Sequence, residues 1–155
     1  MTSTTGEPLD SRRGDRDIAV ALSLLALAFL SRVMGQLLVA CFEVTFLPPM
    51  AEWYSGLIPY PVLLAIQIAI LAVQGTISWD VWHGTGFFAA RRPRAGRFLC
   101  RFSYMYFAVM LIRYGLTMWL YPERRWLHGT IPILFHWVLA AYLFVLGKYY
   151  RSVSE

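Results

Sequence analysis

Arg32, Gln36 and Glu43 interrupt an apolar run, and at 100° per residue they fall within about 40° of one another on a helix. Ala21, Ala28 and Gly35 lie on the same side, so polar and small residues share one face. Three more polar groups sit inside other apolar runs: Gln67, Arg113 and His136. A lone arginine near mid-bilayer costs about 3 kcal/mol on insertion scales, so it turns toward protein or trapped water. Two arginines and a histidine facing one glutamate form a set short of negative charge, and buried charge must be compensated. Guanidinium and imidazole donors in that setting suit a lipid phosphate, a carboxylate or a quinone carbonyl. The candidate ligand-binding residues are therefore Arg32, Gln36, Glu43, Gln67, Arg113 and His136. The competing reading is a self-contained network, with Glu43 paired to one arginine and the glutamine carbonyls accepting from the other.

Other chemistries find less support. A b-type haem needs two imidazoles at similar depth on facing helices, whereas His83, His128 and His136 fall at the inner end, in an outer connection and within a span. Haem is disfavoured as a cofactor. Asp80 and His83 are spaced i, i+3, but two ligands do not make a metal site; Asp80 is expected to pair with the nearby arginines. The chain holds no phosphate-binding glycine loop, nucleophile elbow, zinc-protease helix or closely spaced cysteine pair. Gly84-Thr85-Gly86 reads as a turn, and no catalytic residue is assigned.

The elements that must hold these residues are apolar. With 58% hydrophobic residues in 155, the chain is too apolar for an ordinary soluble domain. Four runs reach the length of about 20 residues that a helix needs to cross a bilayer: 18–46, 61–79, 98–120 and 131–150. Leu47-Pro48-Pro49 stops the first, Pro61 opens the second, Pro93 and the glycines mark the next connection, Pro122 ends the third and Pro132 opens the fourth. The fold class expected is an all-α, antiparallel four-helix membrane bundle over 18–150. Residues 1–17 read as a disordered cytoplasmic tail and 151–155 as a short second one. Counted at about 1.5 Å per residue from the outer ends, Gln67, Arg113 and His136 lie roughly 8 to 10 Å deep, Gln36 about 15 Å and Arg32 about 20 Å. The polar groups then meet in the outer half.

Charge supplies topology. Formal net charge is +5, and the cations gather in short segments between apolar runs instead of coating a surface, so nucleic acid is not an expected partner. Arg91, Arg92, Arg94 and Arg97 crowd the second connection, while the segment from Leu47 to Pro59 has no Lys or Arg. The positive-inside rule puts both termini and that loop in the cytoplasm, with these four arginines against anionic lipid headgroups. Arg124 and Arg125 dissent. Trp53, Tyr54, Trp119, Tyr121 and Trp126 fit an outer aromatic belt, and Trp79, Trp82, Tyr149 and Tyr150 an inner one. Ser11-Arg12-Arg13 has a twin-arginine look, but Gly14-Asp15-Arg16 follows it; Leu38-Val39-Ala40-Cys41 resembles a lipoprotein box, but Arg32 and Gln36 break the apolar stretch before it. The first run therefore reads as a retained span.

These observations lead to a small multi-pass protein of a bacterial-type inner or plasma membrane. Its expected role is to bind an anionic, quinone-like or lipid-like ligand in the outer half of the bundle. The alternative is a subunit or assembly partner of a larger membrane complex, or a homo-oligomer. A membrane enzyme or small transporter ranks below both.

Overall fold

The computed structural model describes residues 7–42, 44, 46–53, 58–120 and 130–152. They form helices α1 (Glu7–Phe42), α2 (Met50–Trp53), α3 (Tyr60–His83), α4 (Pro93–Leu120) and α5 (Thr130–Arg151), with no strand among the described residues. Four of these contain segments long and apolar enough to cross a membrane: Arg13–Phe42, Tyr60–His83, Pro93–Leu120 and Ile131–Arg151. Their outer surfaces carry large apolar side chains, as at Leu24, Ile112 and Trp119. A water-facing bundle would put charge there.

Helix ends follow backbone chemistry more closely than they follow hydropathy. α1 already includes Glu7, the first described residue, inside the segment read as a tail, because polar residues complete an intrahelical ladder as well as apolar ones do. It ends at Phe42, short of the expected Phe46, where Val44 and Phe46 lead into Pro48-Pro49. Arg32 is consequently about 15 Å from the helix end, less than the expected depth. α3 runs past Trp79 to His83 and stops on Gly84, whose φ of 65° and ψ of 21° are left-handed. α4 starts at Pro93 because the arginines that follow are good helix formers whatever their polarity. The four-residue α2 has no apolar period long enough to announce it.

All neighbouring helices run antiparallel. α4 packs on α5, α5 on α1 and α1 on α3, whereas α3 and α4, consecutive in sequence, make no backbone contact. The spatial order is thus α3–α1–α5–α4. Gly96 and Gly147 let α4 and α5 touch at the backbone: a Cβ added to Gly96 would sit 2.8 Å from the Gly147 carbonyl oxygen. Further along the same seam the contact becomes aromatic, with Tyr104 on Phe144 and Phe107 on Trp137.

The interior has two tiers. In the half that holds the α1 N-terminus and the α5 C-terminus, Ala19, Leu22, Ile77, Val81, Leu146, Tyr149 and Tyr150 build an apolar core. In the half near α2, polar groups are buried among apolar ones: Arg32, Gln36 and Gln67 beside Val33, Val39, Trp53 and Ile133. We call these the basic end and the α2 end.

Candidate functional site

Gln36 and Gln67 lie opposite one another because the polar stripe of α1 packs on that of α3. The Gln67 amide Nε2 donates to Gln36 Oε1 at 3.0 Å, and both side chains are buried. Gln36 Nε2 and Gln67 Oε1 have no partner. One turn away, the Arg32 guanidinium is 7% exposed, donates from Nη2 to the Trp53 carbonyl at 3.3 Å and lies 5.5 Å from the centroid of the Phe135 ring. Its Nε has no partner, and no carboxylate pairs with it among the described residues. Glu43, the expected counterion, lies outside the described residues.

Trp53 closes this tier. Its ring rests on Gly35, where an added Cβ would come within 2.8 Å of the indole, and its Nε1 donates to the Pro48 carbonyl at 2.9 Å. The expected place in an aromatic belt is therefore corrected: Trp53 is 8% exposed because the side chain missing from Gly35 leaves it a seat. Tyr149 and Tyr150 likewise belong to the core, while Trp79, Trp82 and Trp119 stay exposed as a belt requires. Tyr54, Tyr121 and Trp126 lie outside the described residues.

His136 is half-buried, with Nδ1 2.5 Å from the Pro132 carbonyl and its ring 5.9 Å from that of Tyr106. It is within electrostatic reach of both Arg32 and Arg113. Arg113 is exposed on α4 and not interior as expected, since α4 contacts only α5 and leaves most of its circumference uncovered. The cluster at the α2 end thus brings together Arg32, Gln36, Gln67 and His136 and leaves Arg113 at its edge.

Because α3 and α4 stand apart, a groove of about 600 Å³ opens between them, floored by α5. Its walls are apolar, including Ile70, Val73, Leu139 and Leu143, with Phe102 and Tyr106 on the α4 side and Gln74 on the α3 side. Tyr142 fastens the floor to α3: its hydroxyl donates to the Gln74 carbonyl at 3.0 Å and lies 3.4 Å from Ser78 Oγ. The Gln74 carboxamide is 3% exposed, yet neither its oxygen nor its nitrogen has a partner. Gln74 belongs to one polar stripe of α3, seven residues after Gln67 and four before Ser78, but sequence depth alone gives no reason to join it to the cluster at the α2 end. The groove has no sequence signal, because it arises from a helix order that the sequence does not encode locally. A second groove of about 600 Å³ opens between α1 and α3 near Trp79 and Trp82. Its Ser78 and His83 already have partners, in Tyr142 and the Trp79 carbonyl.

The arginine loop divides into two kinds. Arg91 pairs with Asp15 at 2.5 Å, donates to the Tyr149 carbonyl and Ser152 Oγ, and stacks over the Tyr149 ring at 4.0 Å. Arg92 donates to the Phe87 carbonyl and lies over the Phe87 ring. Those two brace the protein itself and are partly exposed, whereas Arg94 and Arg97 are exposed. Asp80 turns away from the arginines: its Oδ2 accepts from the Phe88 amide at 3.0 Å, inside a turn where Gly86 has a φ of 96° and no room for a Cβ. No group of three or more His, Cys, Asp or Glu side chains able to hold a metal ion is found among the described residues.

The chain matches no protein-family model, and no curated protein or solved structure is significantly similar to it.

Proposed function

We propose that this protein is a multi-pass membrane protein that binds an amphipathic, lipid-like molecule entering sideways from the bilayer between α3 and α4. The observation that carries this reading is the apolar groove floored by α5. In a membrane such a gap opens to acyl chains and not to water, so its natural occupant is a chain. Ligand pockets of some hundreds of Å³ with few polar groups are the usual form of such sites. The groove extends from Ile66 to Ile77 along α3, about 16 Å at 1.5 Å per residue. On the α4 side, Tyr106 leads to His136, which has Arg32 and Arg113 nearby, and this favours an electron-rich group on the ligand.

A partner helix laid along the groove is the alternative occupant. The exposed cations at the basic end, Arg13, Arg16, Arg94, Arg97, Lys148 and Arg151, support an orientation with both termini cytoplasmic. The proposal is tested by photolabelling the protein in vesicles with a diazirine fatty acid and mapping the adducts. Adducts on Val73, Phe102, Leu139 or Leu143 are expected; adducts spread evenly over the lipid-facing sides of α1, α3 and α4 would refute it.

A further inference from the structure

We propose that the molecule accepted by this groove carries a flat ring with carbonyl or hydroxyl groups, of the quinone and quinol class, and that Gln74 is its recognition residue. The inference rests on the groove reading given above and adds to it the chemistry of the ligand.

Three observations meet at one level of the bundle. Tyr142 hydrogen-bonds the Gln74 carbonyl across α5 and α3. On the other side of α5, Tyr104 meets Phe144 and Tyr106 meets His136, so the level of Tyr142 falls beside Tyr104 to Tyr106 on α4. Gln74 and Tyr106 therefore face the groove from opposite walls near the same height. Gln74 offers one donor and one acceptor, both unpartnered in a side chain that is almost wholly buried. On the α4 wall Phe102 and Tyr106 are stacked on one another, 5.9 Å between centroids and only 11° from parallel, and both line the groove, so a planar ring meets aromatic carbon there.

A saturated acyl chain would leave the Gln74 amide desolvated and unsatisfied, which is unfavourable. A phosphate or carboxylate headgroup does not suit this level either: Gln74 lies 14 residues from the start of α3, about 21 Å along the helix, far from either end. A ring carbonyl solves both difficulties. It is uncharged, it accepts from Gln74 Nε2, and a ring hydroxyl donates to Gln74 Oε1, so the one amide suits both redox forms without moving. No electron transfer by the protein is implied.

The test uses the full chain in phosphatidylcholine nanodiscs, with decylubiquinone and palmitoleic acid as probes and bound mass read by native mass spectrometry. Wild type is expected to prefer decylubiquinone. Gln74→Leu is expected to weaken decylubiquinone about five- to tenfold, the scale of one hydrogen bond, to leave palmitoleic acid unchanged, and to melt no lower than wild type without ligand, since it removes an unsatisfied group. Indifference of decylubiquinone to Gln74→Leu, or a preference of wild type for palmitoleic acid, would overturn the assignment while the groove reading stands. A marked loss of stability in the ligand-free variant would also overturn it, by showing the amide satisfied within the protein. Failure of both probes to bind, together with diazirine adducts that miss the groove, would remove the groove reading itself.

Discussion

At the scale of single residues, the decisive feature is how the buried amides and the guanidinium are satisfied. Gln36 and Gln67 share one hydrogen bond and leave one polar atom each without a partner. Gln36→Leu alone is expected to destabilise by about 1 to 2 kcal/mol because it strands Gln67, and the double variant Gln36→Leu/Gln67→Leu to lie close to wild type. A double-mutant cycle read by denaturation in mild detergent checks this. Gly35 gives a second prediction. A side chain there meets the Trp53 ring, so Gly35→Leu should expel the indole, shift tryptophan emission and cost about 1 to 3 kcal/mol. Gly147→Leu should be worse, because its Cβ meets Cys100 Sγ at 2.8 Å and α4 backbone at the Cys100 nitrogen and the Gly96 carbonyl oxygen.

At the scale of elements, the order α3–α1–α5–α4 explains both what holds and what stays open. Arg91 closes the basic end by joining the α1 N-terminal half, through Asp15, to the last turn of α5. Arg91→Ala should therefore speed trypsin cleavage after Arg13 and Arg16, while Asp15→Asn has a smaller effect, since an exposed ion pair contributes at most about 1 kcal/mol. Much of this architecture was legible in the residues. Proline and glycine punctuation announced four long helices, and the stripe of Gln67, Gln74 and Ser78 marked the buried face of α3. What the sequence did not show has physical causes. Helix ends at His83 and Pro93 depend on capping and backbone bonding, which hydropathy does not report. Trp53 turning inward depends on a gap at Gly35 that exists only once α2 folds back. The exposed position of Arg113 depends on α4 having one neighbour, a consequence of helix order. Of the six residues expected to form the site, three are buried together, His136 flanks them, Arg113 is at the margin and Glu43 is outside the described residues.

At the scale of the whole molecule, the separation of α3 from α4 turns a four-helix arrangement into one with a lateral opening. Four apolar helices with exposed leucines, isoleucines and tryptophans fit a bilayer, and the proposed orientation, with both termini cytoplasmic, has its own test. In a Cys41→Ala background, a cysteine at Arg94 should resist a membrane-impermeant thiol reagent applied to intact cells, and one at Phe46 should react; the reverse pattern would invert the topology. The central claim, that the groove holds a lipid-like molecule, meets its most direct test in a volume change at the floor. Leu143 lines the groove, and Leu143→Trp should fill it without touching the Gln36–Gln67 tier. Native mass spectrometry of protein released from nanodiscs should then show a lipid-like adduct on wild type and its loss from Leu143→Trp at unchanged thermal stability. An adduct of the same mass and occupancy on both proteins would contradict the account.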